Sequence, residues 1–199
     1  YHSAVVSRVV RRALLVVDMP FMSYTTPARA LGNAARLVSE GGAEVVKLEG
    51  GDIILDAVRH LTGHGIAVCG HLGLTPQSIN QLGGYRAQGR QKQEADTMIN
   101  DARNLQEAGA SMLVLECVPA SLAAEITRNL DIPVIGIGAG NQCDGQVLVV
   151  QDMLGLSGRA PRFSRNFLEE TGSVQQAVAS YVSAVKDGSF PGPEHLVSE

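Results

Sequence analysis

Lysine and arginine never gather in this sequence beyond the pair Arg11-Arg12. With 16 basic against 20 acidic residues the formal charge is −4, so the electrostatic footprint of a nucleic-acid binder is missing. No apolar run reaches the roughly 18 residues of a membrane span, and no signal peptide is visible, which argues against a membrane partner. Cysteines are few and scattered: Cys69, Cys117 and Cys143 form no Cys-x-x-Cys pair. Two of them lie in apolar, strand-like runs, where a free thiol packs as a small hydrophobe. Reduced thiols fit a cytoplasmic protein. An initiating methionine is also lacking. The chain starts at Tyr1, as expected of a stretch inside a longer reading frame. Small-molecule chemistry is the class these absences leave standing.

What is present is an alternation. At 199 residues and 45% apolar, the chain can bury one sizeable core. Apolar runs predict strands at 13–17, 44–49, 66–69, 112–115, 132–135 and 146–150. Helical patterns separate them. Thr26 and Pro27 predict one helix start, Asp52 another, and a helix runs from about Asp96 to Gly109. A last helix carries Val174, Ala177, Val178, Tyr181, Val182 and Val185 at helical spacing, and Gly188 ends it. The strands are nearly continuous apolar runs, as expected when both faces are covered.

Six β-α units without a Rossmann-type switch predict an α/β fold of the (β/α)8 TIM barrel type. A full barrel takes about 250 residues, or roughly 31 per unit, so about two units are expected to be missing at the N-terminus. Residues 1–188 are read as one N-terminally incomplete barrel domain, and 189–199 as a loosely held polar tail.

Polar residues gather where these strands end: Asp18, Lys47 with Glu49, His71, and Glu116. In a barrel those ends line one mouth, where active sites sit. Two carboxylates and a lysine suit a hard, oxygen-ligated ion such as Mg²⁺ together with a 2-oxo acid. Glu116 is the candidate proton-transfer residue. For His71, support of the site and simple hydrogen bonding of the strand-end loop both stand. The long segment Leu72–Ala95 reads as a cover over the mouth or as an oligomer contact. Gly136–Gly140 departs from a nucleotide fingerprint. It reads as a tight turn that lets the backbone approach a substrate.

These residues sit in longer motifs. Lys47-Leu48-Glu49-Gly50-Gly51, Cys69-Gly70-His71-Leu72-Gly73-Leu74-Thr75-Pro76-Gln77-Ser78, Leu115-Glu116-Cys117-Val118-Pro119 and Ile135-Gly136-Ile137-Gly138-Ala139-Gly140 resemble the ketopantoate hydroxymethyltransferase family. So do Asp18-Met19-Pro20-Phe21, Gly83-Gly84-Tyr85-Arg86-Ala87-Gln88-Gly89-Arg90 and Phe163-Ser164-Arg165-Asn166-Phe167-Leu168, all in the family's order.

The resemblance implies transfer of a one-carbon unit from 5,10-methylenetetrahydrofolate to 3-methyl-2-oxobutanoate, giving 2-dehydropantoate in pantothenate biosynthesis. It implies Mg²⁺ that binds the oxo acid and assists enolate formation. Carried onto this chain, Asp18 is a metal ligand that also contacts substrate, Glu49 completes the metal site, Lys47 binds substrate and Glu116 accepts the proton. Homo-oligomers, decamers among them, are implied as well. A Gly-Asp-Ser segment of the family, which supplies a further metal ligand and a serine, is absent from this sequence. Two other readings therefore stay in view. One is a Mg²⁺-dependent 2-oxo acid lyase or mutase on the same barrel; the other is an inactive fragment or assembly subunit.

Overall fold

A computed structural model of the chain describes residues 1–197. Six strands lie side by side in chain order and all run parallel. They are β1 Val16–Asp18, β2 Val45–Glu49, β3 Ala67–Gly73, β4 Met112–Glu116, β5 Val134–Ile137 and β6 Gly145–Gln146. The helices are α1 His2–Ser7, α2 Pro27–Ser39, α3 Leu55–Gly63, α4 Ile79–Leu82, α5 Lys92–Glu107, α6 Ala120–Asn129, α7 Val150–Met153, α8 Phe167–Thr171 and α9 Val174–Lys186. Strand order never reverses, so the sheet is a half-barrel wall with β1 and β6 as its edges among the described residues. None of the described helices is long and apolar enough to cross a membrane.

Side chains alternate across each strand with period two, which gives the wall two different faces. The outer face places Val46, Leu48, Val68, Leu113, Leu115 and Val134 under the helices, with no exposure at any of them. Their partners include Ala30 of α2, Val58 of α3, Leu105 of α5 and Ile126 of α6. The inner face gathers Val45, Cys69, Val114 and Ile137 into a separate apolar floor. Continuous apolar strands thus come from two half-patterns interleaved. The polar residues at the strand ends all belong to the inner set.

Local signals held in part. Thr26 Oγ1 accepts a hydrogen bond from the Arg29 amide (3.3 Å) and Pro27 occupies the first turn of α2, as the sequence predicts. Asp52 does not cap α3. Its carboxylate accepts from Asn104 Nδ2 at 3.1 Å instead, and a 3-10 turn, Asp52–Ile54, intervenes. The sixth strand is shorter than the apolar run 146–150 suggests. Val147 donates to the Gly136 carbonyl at 3.0 Å, and the chain then leaves the sheet edge and coils into α7.

The tail is better held than its polarity suggests. Phe190 is 2% exposed and stacks edge-on against Phe167 and Tyr181, closing a cluster between α8 and α9. His195 is buried beside it, and its Nδ1 accepts from the Gly192 amide at 3.0 Å. Residues 198 and 199 lie outside the described residues. Truncating Phe190 to alanine is expected to cost about 3–5 kcal/mol, the usual toll for a buried aromatic. Denaturant unfolding checks it; a loss below about 1 kcal/mol means the tail is not packed as described.

Candidate active site

Strand register brings the five polar residues together. Asp18 sits beside Lys47, Glu49 beside His71, and Glu116 beside Gly73, two residues past His71. Each points to the inner face at the C-terminal end of its strand. All five line one cavity of about 1590 Å³, floored by inner-face residues such as Val114 and Ile137. Leu74, Pro76, Gln77 and Tyr85 to Ala87, from the long segment after β3, form part of its wall.

Lys47 is the hub. Its Nζ lies 3.2 Å from Asp18 Oδ1 and 3.1 Å from His71 Nδ1. An ammonium has no lone pair to accept with, so it donates to Nδ1. That assigns the proton of a neutral His71 ring to Nε2. Nε2 faces Glu116 Oε2 at 3.2 Å, yet the angle is not that of a hydrogen bond, and the buried nitrogen has no hydrogen-bond partner. Glu49 Oε1 stands 3.7 Å from Nδ1, too far for a hydrogen bond. His71, at 2% exposure, is therefore wedged between two carboxylates.

The rest of the shell fixes Glu49. Its Oε2 accepts from the Gln77 amide at 2.9 Å. The Gln77 side chain is held at both ends, donating to the Met19 carbonyl (2.9 Å) and accepting from Tyr24 Oη (2.7 Å). Burial, with Glu49 and Asp18 nearby, pushes the Tyr24 hydroxyl above its ordinary pKa and keeps it a donor. Exposure grades across the site, from 60% for the Asp18 side chain through 14% for Lys47 to 5% for Glu49. Asp18 is the member that meets solvent.

Glu116 is aimed by its backbone. The next residue, Cys117, has a φ of +50°, uncommon for a residue with a side chain and costly to hold. Three hydrogen bonds hold it there. Leu74 N donates to Glu116 O (2.8 Å), Cys117 N to Ile137 O (2.8 Å), and Gln88 N to Cys117 O (2.9 Å). Burial pushes the Cys69 and Cys117 thiols up to about 12, so neither supplies a thiolate near neutral pH.

Asp18, Lys47, Glu49, His71 and Glu116 are thus all where the strand-end pattern predicts. Tyr24 and Gln77 were not singled out by the sequence, because no spacing links residues 53 apart that meet from the segment after β1 and a 3-10 turn after β3. The glycine turn is closely packed. A Cβ at Gly138 would fall 2.8 Å from Phe163, and one at Gly140 2.6 Å from Ala120. These glycines leave room for the side chains of Phe163 and Ala120.

The ketopantoate hydroxymethyltransferase family model matches residues 1–193. The 3-methyl-2-oxobutanoate hydroxymethyltransferase of Methylococcus capsulatus is 58% identical over 195 residues, covering 98% of this chain and 72% of that protein. The protein of the same name from Vibrio cholerae is 55% identical over 199 residues, covering 100% of this chain and 75% of its own length. Among solved structures, one described as native KDPGal superposes with a TM-score of 0.51 at 19% identity, over 94% of this chain and 75% of that one. That likeness speaks for the fold alone. The sequence matches speak for descent: this chain belongs to the ketopantoate hydroxymethyltransferase family, whose members are transferases.

Proposed function

We propose that this site transfers a hydroxymethyl group from 5,10-methylenetetrahydrofolate to 3-methyl-2-oxobutanoate, giving 2-dehydropantoate. The observation that carries it is the convergence of Lys47, His71, Glu49 and Glu116 in one cavity of a chain from this family. Lys47, largely buried and oriented by Asp18 and His71, binds the carboxylate of the oxo acid. Water cleaves both carbon–nitrogen bonds of the methylene donor, releasing tetrahydrofolate and a one-carbon unit at the formaldehyde level. Glu116 accepts the proton from C3 of the oxo acid, and the resulting enolate carbon bonds to that one-carbon unit, whose oxygen takes up a proton to become the hydroxyl. His71 is a positioning residue: it holds Lys47 through Nδ1 and sits against Glu116 through Nε2. Leu74, Pro76, Gln77 and residues 85–87 wall the space in which the enolate would form.

Asp18 and Glu49 are the residues that would hold Mg²⁺. Both offer hard carboxylate oxygens from neighbouring strands, and two such groups are the usual protein share for this ion. Among the described residues no set of three His, Cys, Asp or Glu side chains is arranged for a metal, so water and substrate would complete the shell. When bound, the ion supplies polarisation of the oxo acid. Replacing Asp18 with alanine is expected to weaken both Mg²⁺ and oxo-acid binding by at least about tenfold in calorimetry. Unchanged affinities would take Asp18 out of the metal site.

Three unpaired cysteines support a cytoplasmic setting. The greater length of the relatives supports closure of the whole protein into a (β/α)8 barrel, with six units in this chain. A 2-oxo acid lyase or mutase is less well supported, since both buried thiols at the site stay protonated. The direct test supplies both substrates and Mg²⁺ to the chain extended to the length of its relatives, and follows 2-dehydropantoate by mass spectrometry. Product that disappears on chelation is expected. No product under any metal condition sinks the reading.

A further inference from the structure

A second group of titratable side chains lies on the helical side of the wall and takes no part in the site described above. His60 and His64 stand four residues apart at the C-terminal end of α3, whose inward face, with Val58 and Leu61, is buried. Side chains at that spacing lie one above the other on a helix. The two rings meet with centroids 4.6 Å apart and planes inclined by 58°. His60 is half-buried and His64 exposed, and neither lines the active-site cavity.

The hydrogen bonding of His64 decides which nitrogen is on offer. Its Nδ1 lies 2.7 Å from the His60 carbonyl oxygen. A carbonyl only accepts, so Nδ1 carries the proton, and Nε2 of the neutral ring keeps the lone pair. Metal-bound imidazoles are held this way: one nitrogen donates to a carbonyl or carboxylate while the other binds the ion. The His60 ring makes no hydrogen bond among the described residues, so a nitrogen of it is free to face the same point.

The surroundings suit a cation. Thr62 Oγ1 lies 2.9 Å from the carbonyl oxygen of Ala108, just past α5, and His64 N donates to the Leu61 carbonyl at 3.0 Å, so the last turn of α3 is anchored. Carbonyls at a helix C-terminus carry partial negative charge, which favours a positive ion there. Arg59, the cation next to His60 in the chain, is paired with Asp56 at 3.1 Å.

We propose that His60 and His64 form a two-imidazole site for a divalent transition-metal ion of the Cu²⁺, Ni²⁺ or Zn²⁺ class. Metal–nitrogen bonds of about 2 Å put two rings on one ion roughly 5 Å apart, centre to centre. The observed spacing of 4.6 Å is close to that. No third His, Cys, Asp or Glu is arranged to join them among the described residues, so water fills the remaining positions. Imidazole nitrogen selects these ions, whereas Mg²⁺ takes oxygen, so the pair differs in metal from Asp18 and Glu49.

The test is calorimetric titration of Ni²⁺ into the tag-free protein in excess Mg²⁺, with pulsed EPR of bound Cu²⁺ to count imidazoles. Binding of one equivalent is expected, tighter for Cu²⁺ than for Ni²⁺, with two imidazoles on the copper. His60→Ala and His64→Ala are each expected to weaken binding by at least about tenfold and to leave one imidazole in the count. Should His64→Ala unfold, His60→Gln decides, since it changes a half-buried ring outside the helix cap: unchanged affinity there overturns the proposal. Binding that persists undiminished in the double variant H60A/H64A, through His71 or any other group, overturns it too. So does a wild type that takes up neither ion at millimolar concentration.

Discussion

Replacing Glu116 with glutamine is expected to lower kcat by about 10²–10⁴-fold, the usual contribution of a positioned proton-transfer group. The change is nearly isosteric, and the side chain is 13% exposed, so packing is retained. The backbone around it is fixed independently by the hydrogen bonds of Leu74 and Cys117. Thermal stability should therefore hold while turnover falls. Two measurements separate the causes. Exchange of the C3 proton of 3-methyl-2-oxobutanoate with deuterated water, followed by NMR, reads proton removal without the folate. Calorimetric binding of the oxo acid reads Lys47 and its neighbours. Exchange should collapse and binding should persist. Wild-type exchange in the variant would remove Glu116 as the proton acceptor.

Adding one methyl group at Gly73 should do comparable damage through the fold. Gly73 ends β3 at a φ of +90°, a conformation that side chains rarely adopt. It lies in register with Glu116. A Cβ there would run into the Glu116 carbonyl oxygen and come within 2.7 Å of Val118 Cγ1. Relief requires β3 and β4 to part, and Leu74 N then loses its 2.8 Å bond to that carbonyl. Gly73→Ala is expected to cost about 2–5 kcal/mol, combining an unfavourable φ with overpacking. It should also lower kcat, because the strand end that aims Glu116 is displaced. Urea unfolding and initial rates check the two effects. A stable variant with full activity would show that this junction tolerates movement.

Both predictions turn on the end of β4, and the sequence announces that place only partly. Glu116 stands out because it closes an apolar run, as Asp18 and the Lys47–Glu49 pair do. His71 is visible the same way. Its unpartnered Nε2 and its place between two carboxylates are not, because they depend on the relative height of β2, β3 and β4 in the sheet. Tyr24 and Gln77 are silent in sequence for a related reason. They reach Glu49 from the segments after β1 and β3, Tyr24 by its hydroxyl and Gln77 by its backbone amide in a 3-10 turn, and no strand or helix period aims those contacts. The glycine turn shows the converse case: Gly138 is visible in sequence, but the neighbour it accommodates, Phe163, lies 25 positions away.

Composition and periodicity by themselves determined the α/β class, the order and approximate places of the six strands, and the strand ends at which polar side chains gather. They could do so because strand alternation and helix capping are local: each is written within a few consecutive residues. Only the tertiary structure decided that Lys47 donates to His71 and that the tail packs through Phe190. Those outcomes depend on contacts between residues far apart in the chain, whose geometry is set by strand register and helix packing and carries no trace in local pattern.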